Sequence, residues 1–374
     1  MGSLRNMSKF VFQEPFKTPG TILDQKQRIA ANISWSVDIQ ALAKWSVVFG
    51  ALLFVGWAGK SYYEFHGLFN QLNLMVGGDF VNDWTAARLV LDHHIMTLFD
   101  LSKYHEAQET LFHHKILQFY NWSYPPSFVP LIVWLGFFQY PVALILWFVT
   151  TFALYALAVA YKRPLPWGLI LILAFAPSSF INIFNGQNGF LSAAFLVGGL
   201  RLLSTRPTLA GILFGLLTFK PQLGLLVPVV LVVLKKWRVM AFAAFTAILL
   251  IVISILFFGV EPWLQYIAII PHFQQTFLES DAGLNWMGGY MMPSVFKMAR
   301  IMGASISYAY MWSAIVALGA VWAVIYAFRN SKSEDLRNSV VLTATFLTSP
   351  YIFSYDMTIF TAGIVATPQH LIPR

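Results

Sequence analysis

The sequence predicts an all-α protein that crosses a membrane several times. Its composition is 58% hydrophobic and only 11% charged, and its mean hydropathy is +0.65. Apolar runs of about 18 residues or more recur along the chain, and each is long enough to cross a bilayer as a helix. A soluble protein of 374 residues could not bury so much apolar surface.

The charge and the cysteine content narrow the class of protein further. The net charge of +8 is typical of basic loops that face the cytoplasm and its anionic lipids, so nucleic-acid binding is not expected. The chain has no Cys, which excludes disulfides and thiolate chemistry. Residues 1–40 are polar and show no cleavable signal peptide, so they are predicted to be a cytoplasmic segment before one membrane domain, 41–374.

The first predicted span is 41–59. More basic than acidic residues precede it, which places the N-terminus in the cytoplasm and residue 60 on the outer side. A polar outer loop follows, 60–124, with seven of the sixteen acidic residues and six of the eight His. It is the part of the chain richest in titratable groups.

The apolar block at 124–160 can be interpreted in two ways. Two spans would place Lys162 and Arg163 outside, whereas a short non-spanning or re-entrant piece (124–138) and one span (140–160) place them inside. We prefer the second interpretation, because every later basic loop then obeys the positive-inside rule. It predicts about nine spans, with further helices possible beyond residue 374. The remaining spans are 166–182, 189–203, 208–219, 221–234, 239–258, 305–328 and 340–360, with an outer loop at 259–303 and an inner loop at 329–339.

This topology places the unusual polar motifs on the outer side. They are the acidic loop, "YPP" (124–126), "NGQNG" (185–189), "KPQ" (220–222), His272 and "SPYIFSYD" (349–356). Polar groups at membrane depth that come from separate parts of a chain are typical of a single binding cavity.

The stretch "GGDFVNDWTAARLV" (77–90) contains the first candidate catalytic residues. Asp79 and Asp83 share a helix face, as do Trp84 and Arg88. One carboxylate could be a general base, or both could hold a metal ion; the spacing alone favours Asp79 as a helix N-cap. The histidines, paired at 93–94 and 113–114, show no His-x-x-x-His pattern, and an interfacial role is expected for them.

The other motifs leave alternatives open. Tyr124 is either an anchor at the membrane interface or part of the wall of a binding site for a sugar or lipid. Gln187 and Asn188 either form hydrogen bonds between helices or face a polar cavity. Lys220 costs roughly 2.5–3.5 kcal/mol at membrane depth, so it is expected to pair with a carboxylate or with a ligand phosphate. Asp356 is the expected protein partner, or else a second carboxylate of the same site.

Taken in order, these motifs resemble glycosyltransferase family 87, the polyprenol-phosphate-mannose-dependent mannosyltransferase-like proteins of the C-type integral membrane superfamily. The resemblance covers residues 45 to about 360. It depends on "GGDFVNDWTAA", "LFDLSKY" (98–104), "YPP", "GQNG", "KPQ" and "SPYIFSYD" in that order.

The resemblance implies an inverting enzyme that moves a sugar from a polyprenyl-phosphate donor to a glycan or glycolipid acceptor. The reaction would take place on the outer face of a bacterial inner membrane. Asp79 matches the catalytic residue, and Lys220 with Gln222 matches the phosphate-binding position. The other expected substrate-binding residues are Asp83, Arg88, Tyr124, Gln187, Asn188, Tyr351 and Asp356.

Two features leave the chemistry open. Some members of the family carry a histidine where this chain has Tyr351, Tyr355 and Asp356, so the sugar is either mannose or another hexose or pentose. No cofactor is expected, because a lysine can neutralise the phosphate, although Asp79 and Asp83 leave room for a divalent ion. The alternatives are a transporter or flippase for an anionic lipid-linked substrate and a non-catalytic membrane subunit.

Overall fold

The computed structural model describes residues 39–70, 75–113, 120–161, 167–280 and 291–366. Their regular secondary structure is helical apart from one short hairpin, which confirms the predicted all-α class. One compact unit, Ala43–Pro368, contains every residue of the candidate site. Of the predicted cytoplasmic segment 1–40, only the last two residues are described.

The N-terminal half combines long and short elements. The elements are α1 (Ile39–Glu64), β1 (Phe65–His66), β2 (Phe69–Asn70), α2 (Phe80–Leu91), α3 (Leu101–Phe112), α4 (Val129–Ile132), α5 (Tyr140–Ala160), α6 (Trp167–Phe175) and α7 (Pro177–Phe184). β1 and β2 pair antiparallel, with Phe65 opposite Asn70. Three single 3-10 turns complete this half: Ile95–Phe99, Pro126–Phe128 and Val133–Phe137.

The C-terminal half is a series of apolar helices with two broken regions. The helices are α8 (Gly189–Leu202), α9 (Pro207–Leu216), α10 (Val227–Val233), α11 (Trp237–Phe258), α12 (Glu261–Glu279), α13 (Val295–Ile301), α14 (Ile306–Asn330), α15 (Glu334–Thr348) and α16 (Thr358–Ala366). The 3-10 turns are Leu217–Phe219, Pro221–Gly224 and Ser354–Met357.

Three helices are long and apolar enough to cross a membrane, namely α5, α11 and α14. A fourth span results if α6 and α7, which meet at a bend of 53°, are counted together. Pro177 causes that bend, because proline at the start of α7 cannot continue the hydrogen-bond ladder of α6. The apolar stretches of the other described helices are shorter, including Val47–Trp57 within α1, so the count of nine spans stays a prediction.

The breaks occur where polar motifs interrupt the apolar pattern. The block at 124–138 folds as short 3-10 and α segments before α5, as the preferred interpretation predicts. The "KPQ" motif separates two 3-10 turns, one on each side of Lys220. The predicted continuous span at 340–360 is wrong: α15 ends at Thr348, and Pro350 follows in a stretch that stays non-helical until residue 354. The Lys162–Arg163 loop, which decided the topology, lies outside the described residues.

Helix α8 is the centre of the molecule. All of its residues are buried, and it packs against α5, α9, α15 and α16. Its glycines permit this close packing, since a methyl group on Gly199 would overlap the ring of Phe214. Because α8 begins at Gly189, the "NGQNG" turn is held at one end of the buried core.

Candidate active site

The turn that precedes α2 interlocks with the "NGQNG" turn. The Asp79 amide donates a hydrogen bond to the carbonyl oxygen of Asn185 at 2.9 Å. Gly186 has a φ of +65°, and a Cβ atom there would overlap the carbonyl oxygen of Gly77. Only glycine fits at this crossing, because a side chain would both strain the backbone and collide with the other turn.

Asp79 occupies the N-cap position of α2, but its side chain makes no cap hydrogen bond. The interpretation of Asp79 as a capping residue is therefore wrong. Its Oδ2 atom instead accepts a hydrogen bond of 2.5 Å from Nε2 of Gln187. Among the described residues Oδ1 has no hydrogen-bond donor, and the side chain is half-buried rather than closed off. One carboxylate oxygen is fixed by the amide, and the other is available to a ligand.

The environment of Asp79, which lies outside the candidate spans, shifts its acidity. Burial raises the pKa of Asp79 to about 6, while the Gln187 hydrogen bond and the positive charge of Lys220 act in the opposite direction. A carboxylate with this pKa is ionised at neutral pH and is a stronger base than an exposed aspartate. The influence of Lys220 also shows that the "KPQ" lysine lies near Asp79.

A directional hydrogen-bond chain leads to Asp79. Nδ2 of Asn188 donates to the hydroxyl of Tyr124 at 2.7 Å, and this hydroxyl lies 3.4 Å from Oε1 of Gln187. Gln187 then donates to Asp79. Each donor in the chain points toward the carboxylate, so the chain orients the carboxylate and stabilises its ionised form.

Tyr124 reaches this chain from an aromatic cluster. Its ring lies 4.7 Å from that of Phe128, which stacks on Phe219 at 4.5 Å and 14°. The "YPP" segment therefore packs against the residue that precedes Lys220, which holds the two motifs together. Tyr124 is part of the polar network and is not merely an interfacial anchor.

Lys220 and Asp356 form a buried ion pair. Nζ of Lys220 lies 2.8 Å from Oδ1 of Asp356, and the two side chains are 5% and 1% exposed. The ammonium group also lies 4.8 Å from the centre of the Tyr355 ring. The expected protein partner of Lys220 is thereby confirmed. Oδ2 of Asp356 has no hydrogen-bond partner among the described residues, and an ammonium group carries three N–H donors. Asp356 can therefore accept, and Lys220 can donate, further hydrogen bonds.

The "SPYIFSYD" segment is fixed to the start of α8. Thr358 donates a hydrogen bond to the carbonyl oxygen of Gly189 at 2.9 Å, and Asn182 accepts one from the Gly189 amide at 2.7 Å. A Cβ atom on Gly189 would overlap the carbonyl oxygen of Tyr355. The two turns therefore lie in direct contact, and this contact brings Asp356 and Gln187 into one region.

Asp83 lies one turn after Asp79, as the spacing predicts, and it is 3% exposed. Its Oδ1 atom has no hydrogen-bond partner among the described residues. Burial raises the pKa of Asp83 to about 8, with Lys220 acting against the shift and Asp79 adding to it. Asp83 is therefore largely protonated at neutral pH, while Asp79 is ionised.

Three residues that were expected to bind substrate make no hydrogen bond to this network among the described residues, although burial and the nearby charges of Asp79 and Asp356 raise the pKa of one of them, Tyr351. Arg88 donates to the carbonyl oxygen of Gly136 at 3.0 Å, about 13 Å along α2 from Asp79, and so fixes a loop. Gln222 is half-buried and makes no side-chain hydrogen bond among the described residues. Tyr351 is half-buried and packs edge-on against Phe353 at 5.1 Å.

Two residues of the site were not among the expected site residues. Tyr355, beneath the Lys220 ammonium, was named only as one of the positions where some family members carry a histidine. Asn182, which supports Gly189, was signalled only by being an amide in an apolar stretch.

Within the residues described, no group of three His, Cys, Asp or Glu side chains is arranged to hold a metal ion. His93 and His94 lie in an exposed turn after α2. The region around Asp79 contains the side-chain amide of Gln187, the Lys220 ammonium group and the two further carboxyl groups of Asp83 and Asp356.

Comparison with known proteins identifies the family. A family model described as Glycosyltransferase family 87 matches residues 122–350. No curated protein and no solved structure shows significant similarity to the chain. The matched range contains Tyr124, "NGQNG" and Lys220, while Asp79 precedes it and Asp356 follows it. With its apolar spanning helices and a family match over more than half of its length, this chain is an integral membrane protein that belongs to glycosyltransferase family 87.

Proposed function

We propose that this glycosyltransferase transfers a sugar from a polyprenyl-phosphate donor to a hydroxyl of a glycan or glycolipid acceptor. The transfer inverts the anomeric centre and takes place on the outer face of the membrane. One observation carries the proposal: a half-buried carboxylate held by an amide, Asp79, and a buried lysine, Lys220, lie in the same region of the fold.

Asp79 has the properties of a general base. Gln187 fixes one oxygen, the other has no partner among the described residues, and the pKa of about 6 keeps the group ionised at pH 7. In the proposed step, Asp79 takes the proton of the acceptor hydroxyl while that oxygen attacks the anomeric carbon of the sugar. The bond from this carbon to the phosphate oxygen breaks, and its electron pair leaves with the polyprenyl phosphate. One displacement inverts the carbon and requires no covalent enzyme intermediate.

Lys220 has the properties of a phosphate-binding residue. Its ammonium group has N–H donors beyond the one used by Asp356, and the surrounding protein excludes water. A positive charge in such a place stabilises the charge that develops on a departing phosphate. Asp356 and Tyr355 would hold the ammonium group in position before the donor binds.

The proposal requires no metal ion, because Lys220 would neutralise the leaving phosphate directly. The sugar is mannose or another hexose or pentose.

The test uses Asp79→Asn, with Asp92→Asn as the matched control on the same helix. Asp92 is an exposed residue at the C-terminal end of α2, and its loss should leave transfer unchanged. Mass spectrometry of polyprenyl lipids and surface glycans from cells that express each variant measures the product. Asp79→Asn should lower transfer about 10²- to 10⁴-fold, and the donor lipid should accumulate.

Two outcomes would overturn the proposal. Transfer within a few-fold of the wild type in Asp79→Asn would remove Asp79 as the base. If the wild-type protein instead changes the leaflet distribution of an anionic lipid without forming a new glycosidic bond, a flippase is the correct assignment.

A further inference from the structure

Helix α13 contains a buried cation that the proposed mechanism does not use. Lys297 is completely buried. Its Nζ atom has one long hydrogen bond of 3.4 Å, to the carbonyl oxygen of Phe277, and lies 5.8 Å from the centre of the Phe277 ring. Among the described residues it forms no ion pair with a carboxylate. This contrasts with Lys220, whose charge is met by Asp356.

The surroundings of Lys297 do not neutralise its charge. Arg300, less than one turn further along α13, adds positive charge, and burial together with Arg300 lowers the pKa of Lys297. Glu279, a carboxylate on the helix that carries Phe277, is bonded to the Tyr310 hydroxyl at 2.8 Å and to Gln275 at 3.1 Å. An ammonium group withdrawn from water without a counter-charge is costly, and a charged residue kept in such a place marks a functional site by default.

A column of aromatic rings connects Lys297 with the candidate active site. Phe277 stacks against Phe353 at 6.4 Å and 30°, and Phe353 stacks against Tyr355 at 5.0 Å and 6°. Lys220 lies over Tyr355 at the other end. The two buried lysines therefore lie at opposite ends of one three-ring column.

The outer surface of α13 indicates the kind of anion. Met298, Ile301 and Met302 are exposed apolar side chains on or at the end of this short helix. A buried cation beside exposed apolar groups fits an anion that carries a hydrocarbon chain better than a soluble anion.

We propose that Lys297 is a second anion-binding residue, separate from Lys220, which binds the phosphate group of a lipid. The inference deepens the proposed function, on which it rests for the identity of the lipid as a substrate. The phosphate comes either from the polyprenyl donor or from an anionic glycerolipid, and the shared chemistry is an ammonium–phosphate contact beside an acyl or prenyl chain.

The experiment measures lipid binding by native mass spectrometry of the purified full chain in neutral detergent. The probes are a sugar-free polyprenyl phosphate, phosphatidylglycerol and, as the uncharged reference, phosphatidylcholine. The variants are Lys297→Met, Lys297→Arg and the matched control Lys103→Met, whose lysine is exposed and, among the described residues, forms an ion pair with Asp100. Lys297→Met should weaken binding of one phosphate probe about tenfold or more, Lys297→Arg should retain most of it, and Lys103→Met should leave it unchanged.

Each result has one meaning. Selective loss of polyprenyl phosphate assigns the site to the donor, and selective loss of phosphatidylglycerol assigns it to an anionic glycerolipid. Equal binding of both probes by Lys297→Met and the wild type overturns the proposal. That result leaves the proposed function intact, because Asp79→Asn tests transfer independently.

Thermal unfolding provides a second readout that does not depend on the choice of probe. Removing an unpaired buried charge should leave the unfolding temperature of lipid-free Lys297→Met equal to or above that of the wild type. The polyprenyl phosphate or phosphatidylglycerol probe should raise this temperature in the wild type and not in the variant. A Lys297→Met protein that unfolds at a lower temperature without lipid, and gains as much from the probes as the wild type, would show that Lys297 has only a structural role.

Discussion

The buried pair of Lys220 and Asp356 allows a structural role to be separated from phosphate binding. Replacing Lys220 with Met removes the cation and leaves the Asp356 carboxylate, 1% exposed, without its partner. Breaking a buried ion pair from one side costs about 3–5 kcal/mol, since an uncompensated charge stays inside the protein. Asp356→Asn likewise leaves the Lys220 ammonium group buried without its partner. The double variant Lys220→Met/Asp356→Asn contains no ionised group at this place and should recover most of the lost stability.

The assay combines stability and activity on the same preparations. Unfolding free energies come from titration of mixed micelles with a denaturing detergent, and transfer comes from product formation with a polyprenyl-phosphate sugar. If Lys220 binds the phosphate, transfer should fall about 10²- to 10³-fold in Lys220→Met, and the double variant should stay as inactive. Stability would then return while activity would not.

The opposite pattern would refute the reasoning. A double variant that regains both stability and transfer would show that Lys220 and Asp356 only hold the "KPQ" and "SPYIFSYD" segments together. A Lys220→Met protein as stable as the wild type would show that the pair contributes less than the burial of its two side chains implies.

Two further predictions concern Asp79 and the turn that positions it. Because Asp79 must be ionised to accept a proton and its pKa is about 6, transfer should rise with pH, reach half of its maximum near pH 6 and fall about tenfold per unit below; a flat profile from pH 5 to pH 7 would exclude Asp79 as the base. Gly186→Ala should destabilise the protein by at least about 1–3 kcal/mol, since its φ of +65° and the Gly77 carbonyl leave no room for a methyl group. The matched control is Gly319→Ala on α14, which meets nothing within 4 Å and should gain about 0.5–1 kcal/mol; equal thermal unfolding shifts in the two variants would contradict the packing of the turns.

Features that depend on neighbouring residues could be predicted from the sequence. The apolar runs predicted an all-α membrane protein, because a helix satisfies its own backbone and only its side chains meet the surroundings. The interruptions at "NGQNG" and "KPQ" were predicted from Gly and Pro, which break helices for local steric reasons. The shared face of Asp79 and Asp83 followed from the helical repeat.

Features that depend on distant partners needed the structure. Asp79 had the pattern of a helix cap, but its hydrogen-bond donor is Gln187, 108 residues further on. Arg88 lies on the same helix as both aspartates, yet Gly136 holds its guanidinium group away from them. The sequence named Asp356 as one of two candidate partners for Lys220, and the packing of the two broken segments selected it across 136 residues.

The sequence by itself therefore determined the class of protein, the places where its helices break and the residue types available for catalysis. The tertiary structure decided which of those residues meet. The reason is physical: helix formation and insertion into lipid depend on short stretches of chain, whereas the partner and the acidity of a carboxylate depend on burial and on charges brought near by α8 and the turns that pack on its start.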